Sequence, residues 1–326
     1  MGKTLQLEMP VSATVLVLVE TVNEYLPLLE NHGFRLILAP TPEQRAAAIQ
    51  AHAQEITAVL TRGPLGLRAD EMQALPHLQI ICVIGAGYEH VDLQAASNRS
   101  ITVTNGAGAN APTVADHAMA LLLALVRGIP QADASVRRGE WLKPMCPTLE
   151  GKRLGILGLG AVGLAIARRA ANGFDMSVSY HNRQPRPDAP YTYQPSVREL
   201  AAAVDFLIVA APGGPATHHL VDQQVLEALG PQGYLINIGR ASVVDTHALV
   251  AALTEGRIAG AGLDVFDDEP RVPDALKLLS NVVLTPHIAG QSPQAAQDTV
   301  QLVVLNLQAF FSGQPLLTPV RLPGPQ

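Results

Sequence analysis

Only two of the 326 residues are cysteine, one is tryptophan, and aromatic residues make up 4% of the chain. Cys82 and Cys146 lie far apart and form no Cys-x-x-Cys pair. A disulfide framework and a zinc ribbon are thereby excluded, and a reducing compartment fits. Charge is sparse at 15%, with 22 basic against 28 acidic residues and a net charge of -6. Without a basic tail or stripe, the electrostatic footprint of a nucleic-acid partner is missing. Long apolar runs are missing too: 15–19, the longest near the start, has a strand's length and stops at Glu20. No membrane span or signal-peptide core is expected, and the protein reads as cytoplasmic. Short-period repeats and low-complexity tracts are also absent from the sequence.

What the chain does have is 48% hydrophobic residues, too many for disorder, and length enough for two cores of ordinary size. Short runs of Val, Ile and Leu alternate with Ala-rich helical stretches, the pattern of an α/β protein whose parallel sheets carry helices on both faces. Strands are expected at 14–19, 34–38, 58–61, 79–84 and 101–104, with a helix over 43–52. A helix over 112–126 opens on Pro112, is apolar almost all round, and reads as buried between larger bodies. The alternation restarts with strands at 153–157, 177–180, 206–210, 234–238, 262–265 and 282–284. A last periodic segment, 293–311, reads as a long helix that ends at Ser312-Gly313 and folds back on the first part. Two doubly wound domains are therefore expected. One is a flavodoxin-like substrate domain of 1–105 with 290–326, and the other is a Rossmann dinucleotide-binding domain of 106–289 inserted into it.

Gly158-Leu159-Gly160-Ala161-Val162-Gly163 follows an apolar run and opens a helix expected over 164–171, the context a dinucleotide site demands. Gly158 permits the tight turn, Gly160 lets backbone N–H groups approach the pyrophosphate, and Gly163 lets the helix pack on the strand. An NAD site usually presents Asp or Glu at the end of the second strand. Here that place reads Tyr180-His181-Asn182-Arg183. No carboxylate repels a 2'-phosphate there, and Arg183 with Arg186 is suited to grip one through fork-shaped hydrogen bonds. NADP(H) is the expected cofactor.

Three more strands run into Gly239-Arg240, Asp267-Asp268-Glu269-Pro270 and Thr285-Pro286-His287. In a parallel sheet their C-terminal ends gather at one edge. Together with Ile84-Gly85-Ala86-Gly87-Tyr88, 155–163, 236–240, 261–266 and 284–287, this ordered set resembles the D-isomer-specific 2-hydroxyacid dehydrogenases over nearly the whole chain. The resemblance implies a catalytic trio of Arg240, Glu269 and His287. It implies substrate contacts from Ala86, Gly87 and Arg240, and cofactor contacts from Ile238 and Asp264 beside those of 158–163, Asn182 and Arg183. Asp264 is the residue it assigns to the nicotinamide amide. Asn182-Arg183-Gln184-Pro185-Arg186 further resembles the NADP-dependent glyoxylate/hydroxypyruvate reductases, and 311–319 with Tyr191-Thr192-Tyr193 is similar to the hydroxyphenylpyruvate reductases.

The chemistry asks for the same residue types. Reducing a 2-keto acid needs a hydride for the carbonyl carbon, a proton for its oxygen and a cation for its carboxylate. Arg240 is the cation, His287 the proton donor and Glu269 the carboxylate that orients its ring and favours its charged form. The reading is an NADPH-dependent reductase of small 2-keto acids, hydroxypyruvate and glyoxylate first. Alternatives are a reductase of larger 2-keto acids such as arylpyruvates or 2-ketoaldonates, and a non-catalytic nucleotide-sensing scaffold. The other nine histidines have no ligand-spaced partners, so no metal is expected. Trp141 reads as a packing residue, with a partner subunit's pocket as the alternative that the resemblance suggests. The apolar helix 112–126 implies a large buried contact, hence a homodimer.

Overall fold

The structure is a computed structural model that describes residues 13–324. Residues 1–12, expected to open the substrate domain, and 325–326 lie outside the described residues. The chain divides into two compact units, one of the residues up to Asn110 together with those from Ser292, the other of Ala111–Gln291.

In the first unit, β1 (Thr14–Val17), β2 (Arg35–Leu38), β3 (Ile56–Arg62), β4 (Ile80–Ile84) and β5 (Thr102–Asn105) pair in parallel in the order β2-β1-β3-β4-β5. This is the flavodoxin-like order. β3 is longer than the expected 58–61 because β1 and β4 bond it from both sides, drawing Ile56 and Arg62 into the ladder. Helices α1 (Pro27–Asn31), α2 (Pro42–His52), α3 (Ala69–Gln73) and α4 (Leu93–Asn98) connect the strands. Thr41 starts α2 with a capping box to Gln44 and a proline in the first turn. Alternate residues of β1 enter opposite layers. Val15 and Val17 pack with Val300, Val303, Val304 and Leu307 of the long helix Pro293–Phe311, and Leu16 and Leu18 pack with Ile56, Met72 and Leu75 on the other face. The last helix thus completes the core of the unit that the chain began.

The second unit holds β6 (Arg153–Leu157), β7 (Ser177–His181), β8 (Thr192–Tyr193), β9 (Phe206–Val209), β10 (Tyr234–Asn237), β11 (Gly260–Leu263) and β12 (Val282–Leu284). They form one parallel sheet in the order β12-β11-β10-β9-β6-β7-β8. The strand order reverses between β6 and β9, the place where doubly wound sheets bind nucleotides. Its helices are α5 (Ala111–Val126), α6 (Ile129–Arg137), α7 (Ala161–Phe174), α8 (Val197–Ala202), α9 (Gln223–Leu229), α10 (Thr246–Thr254) and α11 (Asp274–Lys277); Pro293–Phe311 is α12.

Three expectations are corrected here. β11 starts at Gly260 rather than at 262, with Gly-Ala-Gly-Leu as its sequence. Glycine is poor strand former, but a Cβ on Gly262 would stand 2.8 Å from Ile236, and one on Gly260 3.1 Å from Leu125 of α5, so the bare backbone is what lets α5 lie close. α5 is not buried all round: Pro112, Asp116 and Ala120 are exposed, while Val114, Ala118, Leu121, Leu122 and Leu125 join the core of this unit. Its apolar content is satisfied without a second molecule. α6 has no counterpart among the expected helices; it begins after Gly128, at φ 57°, with a proline in its first turn. Among the described residues no single helix is long and apolar enough to cross a membrane.

Candidate active site

β6 ends at Leu157 and the glycine turn follows it directly. Gly158 stands at φ 99°, where a Cβ would lie 2.7 Å from the Ala211 nitrogen beyond β9. A Cβ on Gly163 would strike the Gly158 carbonyl at 2.2 Å, so the third glycine seals helix against turn. Gly160 differs from both, for a Cβ there would meet nothing within 4 Å. It caps α7 without a side-chain hydrogen bond, and Ala161 and Val162 follow as its first residues. An uncapped helix N-terminus behind an open glycine fits a pyrophosphate.

The end of β7 brackets this turn. Asn182 Oδ1 accepts the Leu159 N–H at 2.7 Å, and Arg186 Nη1 donates to the Leu159 carbonyl at 2.9 Å. Arg186 also pairs with Asp188 at 2.6 Å, and that hydrogen bond holds the Asp188 carboxyl below its ordinary range. Arg186, expected beside Arg183 as a grip on the 2'-phosphate, is thus engaged in shaping the turn. Arg183 itself is exposed and makes no ion pair with any described residue. Asp and Glu are absent from the end of β7, which closes on His181, whose Nδ1 lies 2.8 Å from the Gln194 carbonyl.

At the same edge of the sheet, β10 leads to Ile238, 7% exposed, and to Arg240. Arg240 Nη1 donates to the Gly239 carbonyl at 2.8 Å, and Asn237 Nδ2 donates to the Arg240 carbonyl at 3.1 Å. Its side chain runs beside Gly213, where a Cβ would come within 3.1 Å of the Arg240 Cγ. β12 leads to His287, whose Nδ1 is 2.8 Å from Glu269 Oε2. The other oxygen of Glu269 accepts the Phe266 N–H at 3.0 Å, which aims the carboxylate at the imidazole. Two of the three expected catalytic side chains are thus in direct contact, and the third stands just past the end of β10 in the same sheet.

Asp264, just past β11, is fully buried. Its carboxylate accepts the Thr285 hydroxyl at 2.6 Å and the N–H groups of Ile288 and Ala289 at 2.9 Å each. These three donors flank His287, which sits at φ 54° in the left-handed region. His117 on α5 lies 3.0 Å from the Thr285 hydroxyl and 3.4 Å from Asp264. Sequence reasoning gave His117 no role, because Thr285 stands 168 positions away and Asp264 also lies far along the chain, each past a strand end. Among the described residues no three His, Cys, Asp or Glu side chains gather as metal ligands do.

In the first unit the Gly85-Ala86-Gly87 turn follows β4, with Gly85 at φ 80° and Ala86 exposed. Trp141, after α6, is 77% exposed and packs on nothing within its own chain that would bury it.

Residues 119–289 match the family model of the D-isomer specific 2-hydroxyacid dehydrogenase, NAD binding domain. The chain belongs to the D-isomer specific 2-hydroxyacid dehydrogenase family. Within it, the chain is 43% identical over 302 residues to the hydroxyphenylpyruvate reductase of Plectranthus scutellarioides, covering 92% of this chain and 96% of the relative. It is 41% identical to glyoxylate/hydroxypyruvate reductase A of Arabidopsis thaliana, with the same coverage. The crystal structure of the NADPH-dependent glyoxylate/hydroxypyruvate reductase of Sinorhizobium meliloti, in complex with NADP and malonate, is 42% identical and superposes with a TM-score of 0.84 over 95% of this chain and 97% of that one. The stretch matched by the NAD binding domain falls wholly within the second unit and contains the glycine turn, Arg240, Glu269 and His287.

Proposed function

We propose that this family member is an NADPH-dependent reductase of small 2-keto acids, hydroxypyruvate and glyoxylate first, yielding D-2-hydroxy acids. The observation that carries the reading is the 2.8 Å contact of His287 with Glu269 at a strand end of the sheet that bears the glycine turn. With Nδ1–H donated to the carboxylate, the imidazolium carries its transferable proton on Nε2, and the ring that has given it up is left as the neutral Nδ1–H tautomer. Glu269 stabilises the charged ring, and Arg240 holds the substrate carboxylate by charge-assisted hydrogen bonds. In the first unit, the Ala86 and Gly87 N–H groups are assigned to substrate binding. When bound, the nicotinamide supplies the hydride for the keto carbon.

The residues that would hold the cofactor are 158–163, with Asn182 setting the turn, Ile238 lining the site and Arg183 facing the 2'-phosphate. Asp264 is assigned first to clamping the His287 turn, because its oxygens already accept three hydrogen bonds; a nicotinamide amide would share them. A reductase of arylpyruvates is the second reading, favoured by the likeness to the Plectranthus hydroxyphenylpyruvate reductase. We place the enzyme in a reducing cytoplasm, where its two free thiols are stable, and infer a homodimer from the exposed apolar residues Ile129, Val136, Trp141, Leu142 and Met145.

The test is NADPH oxidation with a panel of 2-keto acids, ranked by kcat/KM. Glyoxylate and hydroxypyruvate leading the panel is the expected result. Hydroxyphenylpyruvate leading would select the second reading, and no turnover with any 2-keto acid would leave the nucleotide-sensing scaffold.

A further inference from the structure

The peptide planes of the Gly85–Gly87 turn are held from outside the turn. Asn105 Nδ2 donates to the Ala86 carbonyl at 2.8 Å, and the Gly106 N–H donates to the Gly85 carbonyl at 2.7 Å. A trans peptide is planar, with C=O and N–H on opposite sides. Drawing the Ala86 carbonyl toward Asn105 therefore turns the Gly87 N–H away from it. Drawing the Gly85 carbonyl toward Gly106 turns the Ala86 N–H away likewise. Neither of these two N–H groups has a partner among the described residues. Gly106 approaches so closely that a Cβ there would lie 2.5 Å from the Gly85 nitrogen.

Asn105 is itself held by the C-terminal tail. Its N–H donates to the Thr318 carbonyl at 3.2 Å and its carbonyl accepts the Thr318 hydroxyl at 2.6 Å. The same hydroxyl oxygen accepts Asn306 Nδ2 at 3.0 Å, and Asn306 Oδ1 accepts the N–H groups of Leu317 and Thr318 at 3.1 and 3.3 Å. Asn306 is 1% exposed, so α12 offers a rigid, water-excluded anchor. A continuous set of hydrogen bonds therefore runs from α12 through Thr318 and Asn105 to the turn.

We propose that Asn105 and Thr318 are positioning residues that aim the Ala86 and Gly87 N–H groups as a two-donor hook for the substrate carboxylate. Two adjacent backbone donors suit the two oxygens of a planar carboxylate. This rests on the 2-keto acid reading, and it adds that the far C-terminus of the chain tunes substrate affinity without touching substrate.

The test uses the full chain with Thr318→Val, Thr318→Ser and Asn105→Ala. KM for glyoxylate and kcat are measured with NADPH, oxalate binding to the NADPH-saturated protein by calorimetry, and NADPH binding by fluorescence. Loss of one neutral hydrogen bond predicts a rise of roughly five- to tenfold in KM and in the oxalate Kd for Thr318→Val, and at least as much for Asn105→Ala. NADPH affinity stays unchanged, kcat at saturation changes by less than about twofold, and Thr318→Ser, which keeps the hydroxyl, restores both constants. A purely structural role would lower Tm without separating KM from kcat. If Asn105→Ala does not fold, Thr318→Val decides. Wild-type values in a folded Thr318→Val would overturn the proposal while turnover by the parent kept the reductase reading intact. A parent that neither reduces a 2-keto acid nor binds oxalate would overturn both.

Discussion

His287 occupies a backbone region that side chains avoid, φ 54°, at a cost of order 1 kcal/mol or more. The three hydrogen bonds to buried Asp264 on either side of it offset that cost, and the ring itself is bonded to Glu269. Replacing His287 by Ala should lower kcat by ~10²- to 10⁴-fold with NADPH affinity retained, which stopped-flow reduction and cofactor titration together will check. The role proposed for Arg183 belongs to the same scale. Arg183→Ala should raise KM for NADPH by roughly tenfold or more with little change for NADH, since charge-assisted hydrogen bonds to the 2'-phosphate are worth about 1.5 to 3 kcal/mol. Equal loss with both cofactors would remove Arg183 from that role. Cys82, by contrast, is chemically quiet: burial pushes its thiol up to about 12.

At the scale of elements, the glycine turn is shaped by its neighbours as much as by its own glycines. Arg186 ties the loop after β7 to the Leu159 carbonyl, so Arg186→Ala should weaken NADH and NADPH binding alike, in contrast to Arg183→Ala. Strand edges are tied in the same manner. Asp205, which enters β9, accepts the Arg153 backbone N–H at 2.9 Å and its guanidinium at 2.7 Å where β6 begins. The Arg153 hydrogen bond holds the Asp205 carboxyl below its ordinary range. A depressed carboxyl contributes stability that is present above its unfolded value, about 3.9, and is lost as pH falls through the folded value. Asp205→Ala should therefore cost about 1 to 2 kcal/mol at neutral pH, with the gap to the parent closing as pH drops below 4. Urea unfolding at the two pH values measures it, and a pH-independent gap would show that the ion pair is not the cause.

For the whole molecule, the proposed dimer rests on a different surface from the one the sequence suggested. α5, whose apolarity implied the contact, is satisfied inside its own unit, whereas α6 and the segment after it leave Trp141 77% and Met145 100% exposed. Exposed apolar residues so near one another in the chain are what support the proposed interaction surface. Light scattering at micromolar concentration should give about twice 34.4 kDa, and Leu142→Asp with Met145→Asp should reduce it to the monomer. A parent mass of 34.4 kDa would refute the dimer.

The α/β alternation, the glycine turn and the three strand ends bearing Arg240, Glu269 and His287 were all legible in the sequence. Each is written by local pattern: apolar runs of strand length, glycines at fixed spacing, and polar residues just past a strand. Bounds moved where pairing overrode pattern, as in β3, lengthened by neighbours on both sides, and in β11, a glycine strand that only the packing of α5 explains. What sequence could not reveal are the contacts between distant positions: His117 with Thr285, Arg186 with Leu159, and Asn306 through Thr318 and Asn105 to the turn at Ala86. Spacing along the chain carries information only about neighbours within a turn of helix or a step of strand. Which residues stand against the proposed catalytic histidine, or against the turn at Ala86, is decided when the parallel strands of each sheet bring their ends together, and that gathering exists only in the folded chain.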